Sequence, residues 1–197
     1  MGEIDELVER ARARARKPAG LPAEPRLRGV ILTCMDARID PVSLFGLNPG
    51  DVHVLRNAGA RATPDVLRSL ALSQAILGTR EVLVLGHTGC GLLGRTEAEL
   101  SEAIRSKSGR KPGMEMGVFK NLDEAVVQTV GELRRCPFLS HRDRIQGFVY
   151  DLDVDEVRPV VGGESRETAQ RSASPLAGLS SLRADVLDMR PNRSRKP

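Results

Sequence analysis

The chain has 197 residues, of which 40% are hydrophobic but only 3% aromatic, and its formal net charge is +4. This length suits one domain with an aliphatic core, and the mixing of basic with acidic residues argues against a nucleic-acid-binding face. No apolar run is long enough to span a membrane, and the first residues lack the apolar segment of a secretory signal. Three cysteines are an odd number for a disulfide framework, so we expect a reducing, cytoplasmic location.

The first predicted element is an amphipathic helix over residues 3–16. Its apolar residues fall on one stripe, and acidic residues precede basic ones, as the helix dipole favours. We interpret it as a packing helix, with an arm that binds a membrane or nucleic acid as the alternative. A linker rich in proline and glycine follows it.

Short apolar segments, bounded by turn residues, predict the buried strands of a parallel α/β sheet flanked by helices. They lie at 29–33, 52–56, 81–86 and 145–150. Between them, Thr63 is expected to cap a helix that has Pro64 at its first position and ends at Gly78. A further helix is predicted near 117–135, whereas residues 97–116 give no clear pattern.

The end of the chain departs from this alternation. Residues 157–161 predict an antiparallel edge strand, a place where Pro159 can be tolerated. After about residue 163 the apolar periodicity stops, and Ser, Gly, Arg, Ala and Pro dominate. We therefore predict one domain over 1–163 and a disordered tail over 164–197.

Metal-binding residue types follow two of the predicted strands. Cys34 comes directly after 29–33, and His87 and Cys90 come directly after 81–86. Ligand sites of parallel sheets lie beyond the carboxyl ends of the strands, so these side chains converge if the two strands are neighbours. Two thiolates and an imidazole suit Zn²⁺, and three protein ligands leave the fourth position open. The pattern predicts one catalytic zinc per chain, although a cysteine that ends a buried strand can also be a small core residue.

Asp36 and Arg38 complete the predicted site. The Asp36 carboxylate could accept a hydrogen bond from zinc-bound water and orient a hydroxide, whose formation zinc permits near neutral pH. Arg38 could form a bidentate pair with Asp36 and keep it ionised and off the metal. Alternatively, the two could form a surface ion pair.

The remaining cysteine and histidines are expected to stay outside the site. Cys136 is interpreted as a non-ligand, with a fourth structural ligand as the alternative. His53 lies in a predicted strand and is interpreted as a packing residue, and His141 as a surface residue.

These motifs resemble those of the β-class carbonic anhydrases, especially the small prokaryotic members. The resemblance covers about residues 1–161 and rests on the segments Cys34–Arg38, Arg56–Gly59, Gly86–Gly91 and Gly147–Asp151. It implies a four-stranded parallel sheet in the order 2-1-3-4, zinc on Cys34, His87 and Cys90, and a catalytic dyad of Asp36 and Arg38. We assign Ala58 and Gly59 to the substrate pocket on the same basis.

The family reaction is the reversible hydration of carbon dioxide to bicarbonate and a proton. The resemblance also implies a homodimer or higher homo-oligomer, in which the N-terminal helix reaches over the partner. Pocket aromatics of larger members have no clear counterpart, and Phe45 is the nearby aromatic candidate.

Other functions remain open from the sequence. The same zinc site could serve a hydrolase of carbonyl sulfide or carbon disulfide, because these substrates are also linear and apolar. A zinc-bound bicarbonate sensor without turnover is a further alternative, although such a protein needs no Asp36–Arg38 pair. The sequence also leaves open whether Asp36 ligates zinc at rest, and whether the assembly is a dimer or a tetramer.

Overall fold

The computed structural model describes residues 3–13 and 20–162. The helices are α1 (Glu3–Ala13), α2 (Pro41–Leu44), α3 (Pro64–Ala75), α4 (Glu97–Ser108) and α5 (Leu122–Arg135), with a 3₁₀ turn at Ala58–Ala60. The strands are β1 (Gly29–Cys34), β2 (Val52–Asn57), β3 (Glu81–His87), β4 (Ile145–Asp151) and β5 (Glu156–Val161). The predicted tail and residues 14–16 of the predicted first helix lie outside the described residues. Within those residues, no helix has both the length and the apolar character needed to cross a bilayer.

All strands join one sheet in the order β2-β1-β3-β4-β5. The first four are parallel, and β5 pairs antiparallel to β4 at the edge, with Pro159 opposite Phe148. The predicted parallel sheet, its strand order and its antiparallel edge strand are therefore confirmed. The order makes β1 and β3 direct neighbours, so their carboxyl ends lie side by side.

The main core lies between one face of the sheet and helices α3 and α5. Alternate residues of the strands, such as Val30 and Val84, cluster there with Leu70 of α3 and Val126 of α5. The side chains of Leu70 and Val84 are fully buried. This burial of aliphatic surface is the main term that stabilises the domain.

Helix α5 approaches the sheet closely because glycine occupies β3 and β4 beneath it. A Cβ added at Gly86 would lie 2.7 Å from Val126 Cγ2, and one at Gly147 would lie 2.6 Å from Val126 Cγ1. Both distances are shorter than the contacts that non-bonded carbon atoms make in proteins. The two glycines therefore set the distance of α5 from the strand that delivers His87.

Several helical details differ from the sequence expectations. Thr63 is the residue before α3, but its side chain makes no capping hydrogen bond; its hydroxyl accepts one from Asn57 Nδ2 instead. Helix α5 begins at Leu122, five residues after the predicted start, with the Asn121 side chain as its cap. The region without a clear pattern contains α4.

Helix α4 carries a sequence signal that could have identified it. The Thr96 hydroxyl accepts the N–H of Glu99, and the Glu99 carboxylate accepts the N–H of Thr96. This reciprocal pair is a capping box, which a Thr-x-x-Glu sequence indicates. Gly109 ends the helix in the left-handed conformation that glycine adopts without strain.

Candidate metal centre

Three potential metal ligands meet at the carboxyl edge of the sheet. Cys34 is the last residue of β1, His87 is the last of β3, and Cys90 lies in the turn that follows. The ligand atoms of these residues all lie within 4.8 Å of one another, and all three residues are buried. Local structure therefore delivers each side chain, and the pairing of β1 with β3 brings them together.

The orientation of His87 points to a metal. Its Nδ1 lies 2.9 Å from the carbonyl oxygen of Thr88, which can only accept, so Nδ1 carries the proton and donates. In this tautomer Nε2 carries a lone pair and no proton, and the atom is buried without a hydrogen-bond partner. A buried unpaired nitrogen is costly, whereas a metal ion would satisfy it.

The two thiols form a pair in which the pKa of Cys34 is lowered and that of Cys90 is raised. The pKa of Cys34 is lowered by a hydrogen bond from the Cys90 thiol and by the backbone N–H groups of Gly59 and Asp36, whereas burial opposes the shift. The same bond to Cys34, together with burial, raises the pKa of Cys90, although the N–H of Leu92 opposes the shift. A cation bound between the sulfurs would favour both thiolates. The donor set of two sulfurs and one imidazole nitrogen therefore fits zinc.

Asp36 and Arg38 form a bidentate ion pair beside these ligands. Arg38 Nε donates to Asp36 Oδ1 at 2.9 Å, and Arg38 Nη2 donates to Asp36 Oδ2 at 2.7 Å. Arg38 also donates to the carbonyl oxygen of Gly89 at 2.9 Å. These bonds hold the pKa of Asp36 far below that of a free aspartate, so the carboxylate is ionised. Asp36 Oδ2 lies 4.0 Å from His87 Nε2.

Arg56 holds the segment between Cys34 and Asp36 in place. Its Nε donates to the carbonyl oxygen of Cys34 at 3.0 Å, and its Nη2 donates to that of Asp36 at 2.7 Å. These bonds restrain the backbone on both sides of the turn that carries the carboxylate. Arg56 belongs to the motif Arg56–Gly59, but the sequence alone assigns it no role.

One side of the ligand cluster is apolar. Phe119, Ile39 and Ala125 are buried with Cys34 and Cys90, and Leu92 packs against them. The sequence gives no signal for Leu92, and it places Phe119 in the helix predicted near 117–135, whereas Phe119 precedes α5. The aromatic candidate Phe45 instead lines a groove with Gly29 and Glu81, at the amino ends of β1 and β3.

The other residues weighed as ligands occupy different places. Cys136 is buried in the main core, outside the ligand cluster. His53 Nδ1 lies 2.8 Å from the Ser73 hydroxyl, as expected of a packing histidine. His141 bonds through its backbone to Gln74.

Ala58 and Gly59, the residues assigned to a substrate pocket, adjoin the ligands. Gly59 has a φ of 76°, a conformation that favours glycine. Its N–H points at Cys34 Sγ, at 3.4 Å.

Comparison with known proteins gives concordant matches. A family model described as carbonic anhydrase matches residues 29–111. Beta-carbonic anhydrase 1 of Mycobacterium tuberculosis is 38% identical over 140 residues, which is 71% of this chain and 86% of that protein. A carbon disulfide hydrolase of an Acidianus species is 32% identical over 169 residues, with 73% and 81% covered. The crystal structure of a carbonic anhydrase from Streptococcus mutans superposes with a TM-score of 0.77 at 36% identity, covering 81% of this chain and 98% of that one.

Proposed function

This chain belongs to the β-carbonic anhydrase family, and from that premise we propose that it catalyses the reversible hydration of carbon dioxide to bicarbonate and a proton. One observation carries the proposal. The buried, unpaired Nε2 of His87 faces two thiols, directly beside an ionised carboxylate that is fixed by an arginine. A site that only stored metal would not need the carboxylate.

Each residue then has a defined task. Cys34, His87 and Cys90 would hold one Zn²⁺ per chain, which would supply a water-derived nucleophile near neutral pH. Asp36 accepts a hydrogen bond from the attacking group and orients it. Arg38 keeps Asp36 ionised and holds both of its carboxylate oxygens in an ion pair. Ala58 and Gly59 border the space in which carbon dioxide is held.

The test is carbon dioxide hydration by stopped flow from about pH 6.5 to 9, with the zinc content measured on the same samples. We expect turnover in proportion to zinc. Asp36→Ala should keep its zinc but lose at least about a hundredfold in kcat, the usual size of one positioned proton-transfer or orienting group. The matched control is Asp153→Ala in the exposed turn after β4. No turnover by zinc-loaded wild-type protein would refute the proposal.

Carbon disulfide hydrolysis is the second candidate, because a carbon disulfide hydrolase matches 73% of the chain at 32% identity. The same samples should be assayed for hydrogen sulfide release from carbon disulfide and from carbonyl sulfide. We expect carbon dioxide hydration to be the faster reaction. The reverse order would reassign the substrate and leave the site residues unchanged.

We further propose that the chain works as a homo-oligomer, at least a dimer, in a reducing compartment such as the cytoplasm. Ile4 and Leu7 of α1 are 71% and 59% exposed. Leu83 and Phe148, on the sheet face opposite α5, are only partly buried. Apolar surface of this kind is typical of an interface between subunits. Light scattering after size exclusion would give the mass, and Leu7→Glu is expected to lower it.

A further inference from the structure

The turn that follows β2 contains two successive residues in the left-handed region of φ. Gly59 has a φ of 76° and Ala60 has a φ of 55°. Glycine adopts such values without strain, but alanine does not, because its Cβ comes too close to the following carbonyl oxygen. Ala60 is also only 2% exposed, so this strained residue lies in the core. Backbone strain of this kind persists only where the surrounding structure imposes it.

The side chain of Asn57 closes this turn. Its Oδ1 accepts the N–H of Arg61 at 2.9 Å, and its Nδ2 donates to the carbonyl oxygen of Arg61 at 2.8 Å. The same Nδ2 donates to the Thr63 hydroxyl oxygen at 3.3 Å. The carboxamide thus binds both backbone groups of a residue on the far side of the strained pair. The carbonyl oxygen of Asn57 accepts the N–H of Met35 at 2.9 Å, which ties the turn to the residue after Cys34.

The turn makes a contact with a metal ligand that depends on its shape. The N–H of Gly59 donates to Cys34 Sγ at 3.4 Å. The dihedral angles of the turn set the direction of this N–H, so the bond requires the left-handed form. Cys34 is only 5% exposed, and water therefore has little access to replace a lost donor. Groups that bond to metal ligands in this way typically change metal affinity by about 10–100-fold.

We propose that Asn57 is a positioning residue of the metal centre. Its carboxamide holds Gly59 and Ala60 in the left-handed form, and thereby keeps the Gly59 N–H on Cys34 Sγ, where it supports the sulfur as a metal ligand. Asn57 acts through the turn and not through contact with the metal. The inference rests on the metal site of the proposed function, but it is independent of the substrate.

A cadmium isotope with a nuclear spin makes the bond observable, because scalar coupling between the metal and an amide proton crosses an N–H···S hydrogen bond. The sample is nitrogen-labelled protein reconstituted with this cadmium in place of zinc. We expect coupling at the amide of Gly59, and also at the amide of Leu92, which donates to Cys90. Asn57→Ala should lose the coupling at Gly59 and keep that at Leu92. The coupling at Leu92 shows in the same sample that the centre is still formed.

Zinc affinity, measured by competition with a chelator, is the second readout. Asn57→Ala should bind zinc at least about tenfold more weakly than wild type. Asn57→Asp keeps the acceptor for the Arg61 N–H but loses the donor, so its affinity should fall between the two. The matched control is Asn121→Ala, which removes an exposed carboxamide that caps α5 through the N–H of Glu124. It should keep both the Gly59 coupling and the wild-type affinity.

The outcomes separate this inference from the proposed function. No coupling at Gly59 in wild type, coupling that persists in Asn57→Ala, or equal zinc affinity of Asn57→Ala and Asn121→Ala would overturn the positioning role and leave the proposed function standing. If Asn57→Ala does not fold, Asn57→Asp decides, and it supports the role only if its Gly59 coupling is reduced while that of Leu92 is kept. Coupling that depends on Asn57, in a protein whose zinc-loaded form does not hydrate carbon dioxide, would confirm the role and show that the proposed function has failed.

Discussion

Replacing Gly86 by alanine is expected to destabilise the domain through a single contact region. The new Cβ would lie 2.7 Å from Val126 Cγ2 and 3.1 Å from Leu122 Cδ1, both on α5. Carbon atoms prefer about 3.5–4.0 Å, so the helix must move by up to about 1 Å. Val126 is only 3% exposed and is packed in the core. Overpacking of this kind costs about 1–3 kcal/mol of the free energy of unfolding.

A double-mutant cycle with Val126→Ala isolates this contact. Val126→Ala alone should cost about 2 kcal/mol, from two methyl groups at about 0.8 kcal/mol each plus a cavity term. The double variant should be more stable than the sum predicts by at least about 1 kcal/mol, because the small side chain makes room for the new Cβ. Additive losses would refute the steric explanation.

Urea denaturation followed by circular dichroism measures these energies. Protein and zinc concentrations must be equal throughout, because binding and assembly shift apparent stability. Gly113→Ala is the control: no atom lies within 4 Å of a Cβ built there, so its effect should stay within about 0.5 kcal/mol. Since Gly86 directly precedes His87, we also expect Gly86→Ala, but not Gly113→Ala, to weaken zinc retention.

Three further predictions concern the metal ligands, a buried carboxylate and a carboxylate in the first turn of α4. Cys90→Ser should reduce zinc, measured by atomic emission, to below about a tenth of the wild-type content, whereas Cys136→Ser should retain it; stoichiometric zinc in Cys90→Ser would contradict the ligand set. The pKa of Asp51 is lowered by Arg26 and by a backbone N–H. The ionised carboxylate therefore stabilises the fold above the ordinary aspartate pKa of about 3.9, and this stabilisation is lost as the pH falls through the lower pKa of the folded state. Asp51→Asn should therefore be less stable than wild type at neutral pH, with the gap closing in acid; a gap that is constant with pH would exclude this explanation. Glu97 accepts the N–H groups of three residues that precede Phe119, so Glu97→Gln should speed hydrogen exchange of those amides, whereas Glu99→Gln should speed exchange in the first turn of α4 instead.

The sequence determined the elements that deliver the site. Short aliphatic runs with turn residues after them are typical of buried parallel strands, and this composition alone identified the strands that carry Cys34 and His87. The ligand types and their positions after these strands predict a zinc site without knowledge of the tertiary structure. The strand predictions are confirmed because they depend on local chemistry and on residues close together in the chain.

Tertiary structure decided everything that depends on contacts between distant segments. The pairing of β1 with β3, not their individual sequences, brings Cys34 within reach of His87 and Cys90. The unpaired Nε2 of His87 becomes visible only when its whole surroundings are known. The side chain of Leu92 packs closely against Gly59 of another segment. Such a contact cannot be predicted from the periodicity of either segment. Packing across the sheet therefore turned a set of candidate ligands into a buried centre with an apolar side and a polar side.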